Sequence, residues 1–199
     1  MKSLLLLTLA LIPLATAAHA APEIGKAAPE FMANDVDGNH VMLSDLKGKT
    51  VVLEWTNPDC PFVHKQYDTG NMQTVQKQAT ADGIVWITID SSATGKEGHY
   101  PAAELKKIYA DKKANFTHLI VDEKSEIATL YGAKTTPHMF IINQDGTLVY
   151  QGAIDDKSGF DKEEVKTAKN YVLTALADLK AGKTVATPST KPYGCGVKY

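Results

Sequence analysis

Residues 51–64 constrain the fold more than any other stretch of the chain, because they combine a strand, a turn and a helix start around one cysteine. The first six residues are apolar or β-branched, apart from one glutamate, which is typical of a buried strand. Residues 57–59, Asn-Pro-Asp, then predict a turn. Cys60 follows, and Pro61 occupies the first helical position, where proline's missing N–H has no intrahelical partner. We therefore expect Cys60 at a helix N-terminus, where the helix dipole favours a thiolate.

The first twenty residues have the pattern of a secretory signal peptide. Lys2 gives a positive start, residues 4–14 are mostly apolar, and Ala18-His19-Ala20 has the small-x-small form of a signal-peptidase site. The apolar run is shorter than the roughly 20 residues that a membrane-spanning helix needs. We therefore expect the mature chain to begin near Ala21 and to work in a bacterial periplasm, where disulfides persist.

Composition and charge describe an ordinary globular protein. The chain has 199 residues, enough for one domain with a sizeable core, and 44% of them are hydrophobic. Its formal net charge of −2 gives no reason to expect nucleic acid or an anionic membrane as partner. We divide the chain into a signal peptide (1–20), one domain (21–183) and a C-terminal tail (184–199) that carries Cys195.

Predicted strands and helices alternate along the domain. A hairpin is expected around Asp37-Gly38, and the helix after Cys60 is expected to reach about Ala81 with one interruption. A long amphipathic helix is predicted over residues 165–179, and the tail is expected to form loop. This order favours an α/β fold in which helices flank a mixed central sheet, preceded by an N-terminal β-hairpin.

Three short motifs are distinctive: residues 57–63 (Asn-Pro-Asp-Cys-Pro-Phe-Val), which contain Cys60, residues 152–156 (Gly-Ala-Ile-Asp-Asp), and residues 194–198 (Gly-Cys-Gly-Val-Lys), which contain Cys195. In them the chain resembles the redoxin branch of the thioredoxin superfamily, of the alkyl hydroperoxide reductase/thiol-specific antioxidant type. It looks most like the peroxiredoxin-like subgroup with a single active-site cysteine. The resemblance implies a thioredoxin-like fold, thiol-based redox or antioxidant activity, and no cofactor. One fold hosts many reactions, so the resemblance is weaker for the reaction than for the fold.

The resemblance also implies site residues. Thr136-Pro137 looks like the family's cis-proline loop, which faces the active cysteine and exposes a backbone edge to an extended peptide or thiol substrate. Glu54, six residues before Cys60, is similar to a buried carboxylate that assists proton transfer in thioredoxins. A carboxylate that faces solvent or pairs with a lysine is the alternative for Glu54. The substrate-binding residues expected from the resemblance are Asn57, Pro61 and Thr136.

Several departures from the family pattern bear on the reaction. Val63 occupies the position of the second cysteine of a dithiol oxidoreductase, so Cys60 has no local disulfide partner. Asn57 stands where peroxiredoxins carry threonine or serine, and the chain contains no arginine to hold the thiolate and polarise a peroxide. Lys65 or Lys134 can supply charge but not the planar guanidinium fork. We therefore expect disulfides to be better substrates than peroxides.

The two cysteines leave several interpretations open. In the favoured one, Cys60 attacks a disulfide or hydroperoxide, and Cys195 resolves the product. A permanent Cys60–Cys195 disulfide that fixes the tail is the second, and cysteines that never meet are the third. The substrate would be a thiol or disulfide protein or a small peroxide, and a homodimer is left open.

Three functions other than thiol–disulfide exchange also remain as alternatives. A genuine peroxiredoxin-type peroxidase is one, and a non-catalytic thioredoxin-like module is another. A copper or zinc carrier is a third, because thiolate and imidazole ligands suit these metals. The residues that such a metal would use are Cys60, His64 and His138.

Overall fold

A computed structural model describes residues 21–199 of the protein. The predicted signal peptide therefore lies outside the described residues. Within residues 21–199, no helix combines the length and the apolar character needed to cross a membrane.

The described chain folds into short strands and helices in alternation. The strands are β1 (Met32–Asn34), β2 (His40–Met42), β3 (Val51–Thr56), β4 (Val85–Asp90), β5 (His118–Val121), β6 (Thr135–Thr136), β7 (His138–Ile142), β8 (Leu148–Gly152) and β9 (Cys195–Gly196). The α-helices are α1 (Pro61–Asp68), α2 (Asn71–Ala81), α3 (Ala102–Asp111), α4 (Glu126–Tyr131) and α5 (Tyr171–Lys180). Two 3₁₀ helices cover Leu43–Leu46 and Lys162–Thr167.

The central sheet has five strands in the order β5-β4-β3-β7-β8. The middle strand, β3, runs parallel to β4 and antiparallel to β7, and every residue of β3 is buried. Strands β1 and β2 form a separate antiparallel hairpin around Asp37-Gly38. The predicted mixed α/β architecture with an N-terminal hairpin is therefore confirmed, and the sheet presents the end of β3, where Cys60 follows, at its centre.

Alternate residues of the central strands point into two separate cores. On one face, Val52, Trp86 and Met139 pack against residues of α1, α2, α3 and α5. On the other face, Leu53, Ile87 and Phe140 pack against α4 and the N-terminal hairpin. This alternation follows from the two-residue period of a strand whose faces are both covered. Glu54 falls between Leu53 and Trp55, which belong to the second core, so it points into the first.

The interruption predicted after Cys60 is present, and it separates α1 from α2. Gly70 lies there with a φ of +77°, a left-handed conformation that glycine adopts without a steric penalty. The change of direction lets α2 pack against β4. As a result, Tyr67 at the end of α1 and Gln76 in α2 both reach the interior of the sheet.

The single helix predicted over residues 165–179 is wrong. The structure has the 3₁₀ helix Lys162–Thr167 and then α5 (Tyr171–Lys180). Asn170 begins α5, because its side chain accepts a hydrogen bond from the Leu173 N–H at 2.9 Å. The Tyr171 N–H bonds the Ile154 carbonyl at 2.9 Å, which takes the backbone off a helical path at this point.

The tail is also more ordered than the sequence predicts. Cys195–Gly196 forms β9, which pairs antiparallel with β6, so that Cys195 lies opposite Thr136. The prediction of loop alone is therefore wrong for these two residues. The backbone bonds of β9 bring the tail to the cysteine end of the central sheet.

Candidate active site

Cys60 is the N-cap residue of α1, as the sequence predicts, and its side chain is fully buried. The turn before it is held by Asn57, whose carbonyl accepts the Cys60 N–H at 3.1 Å. The Asn57 side-chain oxygen accepts the Asp59 N–H at 2.8 Å, as in turns begun by asparagine. Pro61 follows at the first helical position and is exposed. The local sequence thus fixes where the Cys60 thiol points.

The Cys60 thiol contacts the loop before β7. Its S–H donates to the Thr136 carbonyl with a sulfur–oxygen distance of 3.1 Å. The Thr136–Pro137 peptide bond is cis, as expected. The Cys60 side chain accepts no capping hydrogen bond from the N–H groups of α1. In this protonated state Cys60 is therefore tied to the Thr136 backbone, while the helix N-terminus lies beside it.

Cys195 lies beside Cys60. Both cysteines are free. Cys195 is paired opposite Thr136, whose carbonyl accepts the Cys60 S–H, and it packs against the buried cluster that contains Cys60. The pKa of Cys195 is raised to about 12, first by burial and next by the adjacent Cys60 thiol and its negative charge. Cys195 is therefore a neutral thiol placed beside the candidate nucleophile. This placement agrees with a resolving thiol and with a permanent disulfide, the first two of the three sequence-based interpretations of the pair.

The backbone edge expected to be open at Thr136 is covered. The tail strand β9 occupies it through the pairs Thr136–Cys195 and Thr135–Gly196. The protein's own chain thus fills the place where an extended substrate was expected. Thr136 and Pro137 do lie at the cysteine pair, as the resemblance implied.

Glu54 is fully buried and surrounded by neutral hydrogen-bond donors. One carboxyl oxygen accepts from the Tyr67 hydroxyl at 2.9 Å. The other accepts from Trp86 Nε1 at 2.8 Å, Gln76 Nε2 at 3.0 Å and Thr88 Oγ1 at 3.1 Å. Burial raises the pKa of Glu54, and the four donors oppose that rise. Glu54 has no exposed surface, and no lysine among residues 21–199 pairs with it, so the carboxyl group can hold a proton within the interior.

Tyr109 is buried in the same core cluster as Tyr67 and Cys60. The Tyr109 hydroxyl bonds Thr56 Oγ1 at 2.5 Å, and its ring centroid lies 5.2 Å from that of Tyr67. Burial raises the pKa of Tyr109, and the negative charges of Asp90, Glu54 and Cys60 add to the rise. One buried hydroxyl therefore feels both Glu54 and Cys60. Sequence reasoning did not identify the polar residues of this interior chain: Thr56, Gln76, Trp86, Thr88 and Tyr109.

Asn57 and Lys65 are engaged in the scaffold. The Asn57 amide donates to the Glu97 carbonyl at 3.0 Å, and a Cβ on Gly98 would lie 2.3 Å from the Asn57 side chain. Lys65 is fully buried, and its Nζ bonds the Lys157 carbonyl at 2.6 Å, Glu164 at 2.8 Å and the Gly159 carbonyl at 3.0 Å. The Lys65 charge is therefore used to hold the 157–164 segment rather than to replace the missing arginine at Cys60.

The structure does not gather the residues named for a metal site. His64 is partly exposed and lies 3.4 Å from Asp68 on the same helix. His138 is buried beside Phe140, accepts the Lys134 N–H at 3.2 Å, and has its pKa lowered to about 3 by burial and by the Lys134 charge. Among residues 21–199, no group of three or more histidine, cysteine or acidic side chains is arranged to hold a metal ion.

The fold and the site define a thioredoxin-fold protein with a buried cysteine at a helix N-terminus, facing a cis-proline loop. The chain belongs to the AhpC/TSA family, whose model matches residues 24–151. It is 28% identical to the thiol-disulfide oxidoreductase ResA of Bacillus anthracis over 129 residues, 65% of this chain and 69% of that one.

Solved structures agree on the fold. An uncharacterized conserved protein from Geobacillus kaustophilus superposes with a TM-score of 0.73 at 27% identity, covering 89% of this chain and 92% of that one. The thioredoxin domain of a thiol-disulfide oxidoreductase from Bacteroides vulgatus gives 0.52 at 21% identity, over 66% of this chain and 89% of that one. The thioredoxin-like fold expected from the sequence is therefore confirmed.

Proposed function

We propose that this protein is a periplasmic thiol–disulfide oxidoreductase in which Cys60 is the nucleophile and Cys195 the resolving thiol. The observation that carries the proposal is the position of Cys195, which is paired opposite Thr136, the residue whose carbonyl accepts the Cys60 S–H. The name of the ResA relatives supports the same reaction class. The charged start, apolar run and Ala-x-Ala site of residues 1–20 support export.

The first step is attack on a disulfide, RS–SR. Cys60 loses its proton, and the thiolate forms a bond to one sulfur of the substrate while the S–S bond of the substrate breaks. The products are a Cys60–S–SR mixed disulfide and RS⁻, which takes up a proton to give RSH. The attack starts from the N-terminus of α1, where Cys60 is the N-cap residue.

The second step uses Cys195. Its thiol gives up a proton and attacks the Cys60 sulfur, which forms the Cys60–Cys195 bond and releases the second RS⁻, later RSH. In sum, two protein thiols lose two electrons and two protons, and one disulfide becomes two thiols. An external thiol or dithiol reverses these steps to regenerate the reduced protein.

Glu54 is the proposed proton carrier for these steps. It is held inside the sheet with a raised pKa, and the same Tyr109 hydroxyl feels its charge and that of Cys60. A carboxyl group with a raised pKa holds its proton to a higher pH than an ordinary carboxyl group does, which suits it to acid–base work. Glu54 would thus take the proton that leaves the cysteine pair and return it to a leaving thiolate.

Trapping the mixed disulfide tests this function. The Cys195→Ser protein, reduced and then treated with 2-hydroxyethyl disulfide, should accumulate one mixed disulfide on Cys60. The parent should instead form the Cys60–Cys195 disulfide, and Cys60→Ser should form no mixed disulfide at position 60. A Cys195→Ser protein that stays fully reduced, while an equal concentration of a small free thiol reacts, would overturn the proposal.

A further inference from the structure

The chain's own C-terminal strand lies beside the buried Cys60. Cys60 has no exposed surface, although it lies at the end of the sheet where the α1 helix begins. The neighbouring backbone edge at Thr135–Thr136 is paired with β9, so that Cys195 lies opposite Thr136, whose carbonyl accepts the Cys60 S–H. A substrate that pairs with this edge as a strand must first remove β9.

The strand is fastened on both sides of Cys195. Before it, the Tyr193 hydroxyl donates to Asp155 and its ring lies 6.0 Å from that of Phe62. After it, the Val197 N–H donates to the Lys134 carbonyl at 3.2 Å, and the Lys198 carbonyl accepts the Ala93 N–H at 2.9 Å.

A last anchor lies at the end of the chain. The Tyr199 hydroxyl donates to the Ala133 carbonyl. Hydrogen bonds therefore hold the tail against the domain from residue 193 to residue 199, on both sides of Cys195.

Gly194 is the residue that permits this close approach. A Cβ at this position would lie 2.1 Å from the Thr136 carbonyl oxygen, and the φ of +136° is a conformation that other residues rarely adopt. Gly196, on the same strand, has nothing within 4 Å of the position of a Cβ. Gly194 thus seats the strand, whereas Gly196 can be changed without a clash.

We propose that β9, seated by Gly194, is a specificity element that admits small disulfides to Cys60 and excludes extended peptide disulfides. The inference rests on the proposed exchange reaction and adds its substrate class. A small disulfide needs only a slight displacement of Cys195 to reach the Cys60 sulfur. An extended peptide needs the Thr135–Thr136 edge, and β9 competes for the same backbone hydrogen bonds.

The test compares two substrates in the Cys195→Ser background, where only the first step occurs. The small probe is 2-hydroxyethyl disulfide, and the large probe is a ten-residue peptide whose single central cysteine carries a 2-mercaptoethanol mixed disulfide. We expect Gly194→Ala to raise the rate of Cys60 with the peptide about tenfold while changing the small-probe rate less, because the clash with Thr136 favours the open tail. Gly196→Ala is the matched control and should leave both rates unchanged.

Tyr199→Phe gives an independent opening of the tail that involves no glycine. Loss of its anchor to Ala133 should raise the peptide rate about fivefold, as expected for one hydrogen bond. The Tyr199 variant keeps the proposal testable if Gly194→Ala fails to fold. Equal peptide rates in the parent background, Gly194→Ala and Tyr199→Phe would overturn the specificity role, as would a parent that takes the peptide as fast as the small disulfide.

Alkylation by iodoacetamide separates this inference from the proposed function, because it reports access to Cys60 without disulfide exchange. If no variant exchanges with either disulfide, the proposed function fails and with it the substrate class. Faster alkylation in Gly194→Ala than in Gly196→Ala would then still show that β9 shields the thiol. If exchange with the small probe occurs but the variants alkylate equally, the shielding role alone is overturned.

Discussion

The protonation of Cys195 should depend on the charge of Cys60. Burial holds the pKa of Cys195 near 12, together with the adjacent Cys60 thiol and its negative charge. Burial still raises the pKa when Cys60 loses its charge, as it does on forming a mixed disulfide. The Glu97 charge, which raises the pKa, and the Lys198 charge, which lowers it, also remain. The prediction is that removing the Cys60 thiol lowers the pKa of Cys195 towards a cysteine's ordinary value.

The size of the effect follows from the thiolate fraction. With a pKa of about 12, about one Cys195 in 30,000 is a thiolate at about pH 7.5, whereas an ordinary cysteine with a pKa of about 8.5 has about one in ten. Each unit by which the pKa falls increases the thiolate about tenfold. Because burial remains, we expect the variant to fall between these limits. The resolving thiol would thus become reactive only after Cys60 has reacted.

The assay is alkylation of Cys195 by iodoacetamide as a function of pH, read by mass spectrometry of the C-terminal peptide. The parent is compared with Cys60→Ser, which can still donate to the Thr136 carbonyl, and with Cys60→Ala, which cannot. Both variants lack the charge, so both should alkylate Cys195 faster at neutral pH and titrate at lower pH than the parent. A Cys195 that titrates at the same pH in all three proteins would refute the reasoning.

Three further predictions follow from the Glu54 pocket and the scaffold around Cys60. Tyr67→Phe should lower the free energy of unfolding by about 1–3 kcal/mol, and Thr88→Val by about 1 kcal/mol. Within residues 21–199, Tyr67 is the one donor to its carboxyl oxygen of Glu54, whereas Thr88 is one of three donors to the other oxygen. Urea unfolding measures both losses, and an equal or larger loss for Thr88→Val would contradict this assignment of donors. Burial raises the pKa of Glu54 in the folded protein, so the parent should lose stability as pH rises from the unfolded carboxyl pKa of about 4.3 to the folded value. Glu54→Gln cannot ionise and should therefore become more stable relative to the parent over the same pH range. A stability difference between the two proteins that does not vary with pH would contradict the raised pKa. The reduced protein should consume hydrogen peroxide slowly in stopped-flow measurements, compared with its reaction with 2-hydroxyethyl disulfide. The reason is that Lys65 bonds the 157–164 segment, so its charge does not stabilise the charge that develops on a peroxide oxygen at Cys60. A rapid Cys60-dependent burst would favour a peroxidase.

The strand, turn and helix start around Cys60 could be predicted from sequence because each has a local cause. The β-branched run, the Asn-Pro-Asp turn and the proline at the first helical position act within a few residues of one another. The family resemblance, rather than a local pattern, suggested the buried carboxyl group of Glu54 and the cis peptide bond before Pro137.

Contacts between distant segments could not be predicted from local patterns. The donors to Glu54 lie 13 to 34 residues away in the chain, on two helices and a strand. The two-residue strand β9 is too short to show a periodicity, and its only local signal is Gly194 beside Cys195. A single helix is predicted over residues 165–179 because apolar residues keep a helical spacing across this whole stretch. The backbone hydrogen bond from Tyr171 to Ile154, a distant residue, interrupts the helix there.

The central claim is that Cys60 and Cys195 form a reversible redox pair. The most direct measurement is the fraction of Cys60–Cys195 disulfide in the full mature chain after equilibration with buffers of increasing ratio of oxidised to reduced glutathione, read by non-reducing peptide mapping. The account predicts one intramolecular disulfide that appears with increasing ratio and disappears completely when the ratio is reversed. Thiols that stay free at every ratio, or glutathione that remains on Cys60 without transfer to Cys195, would contradict it.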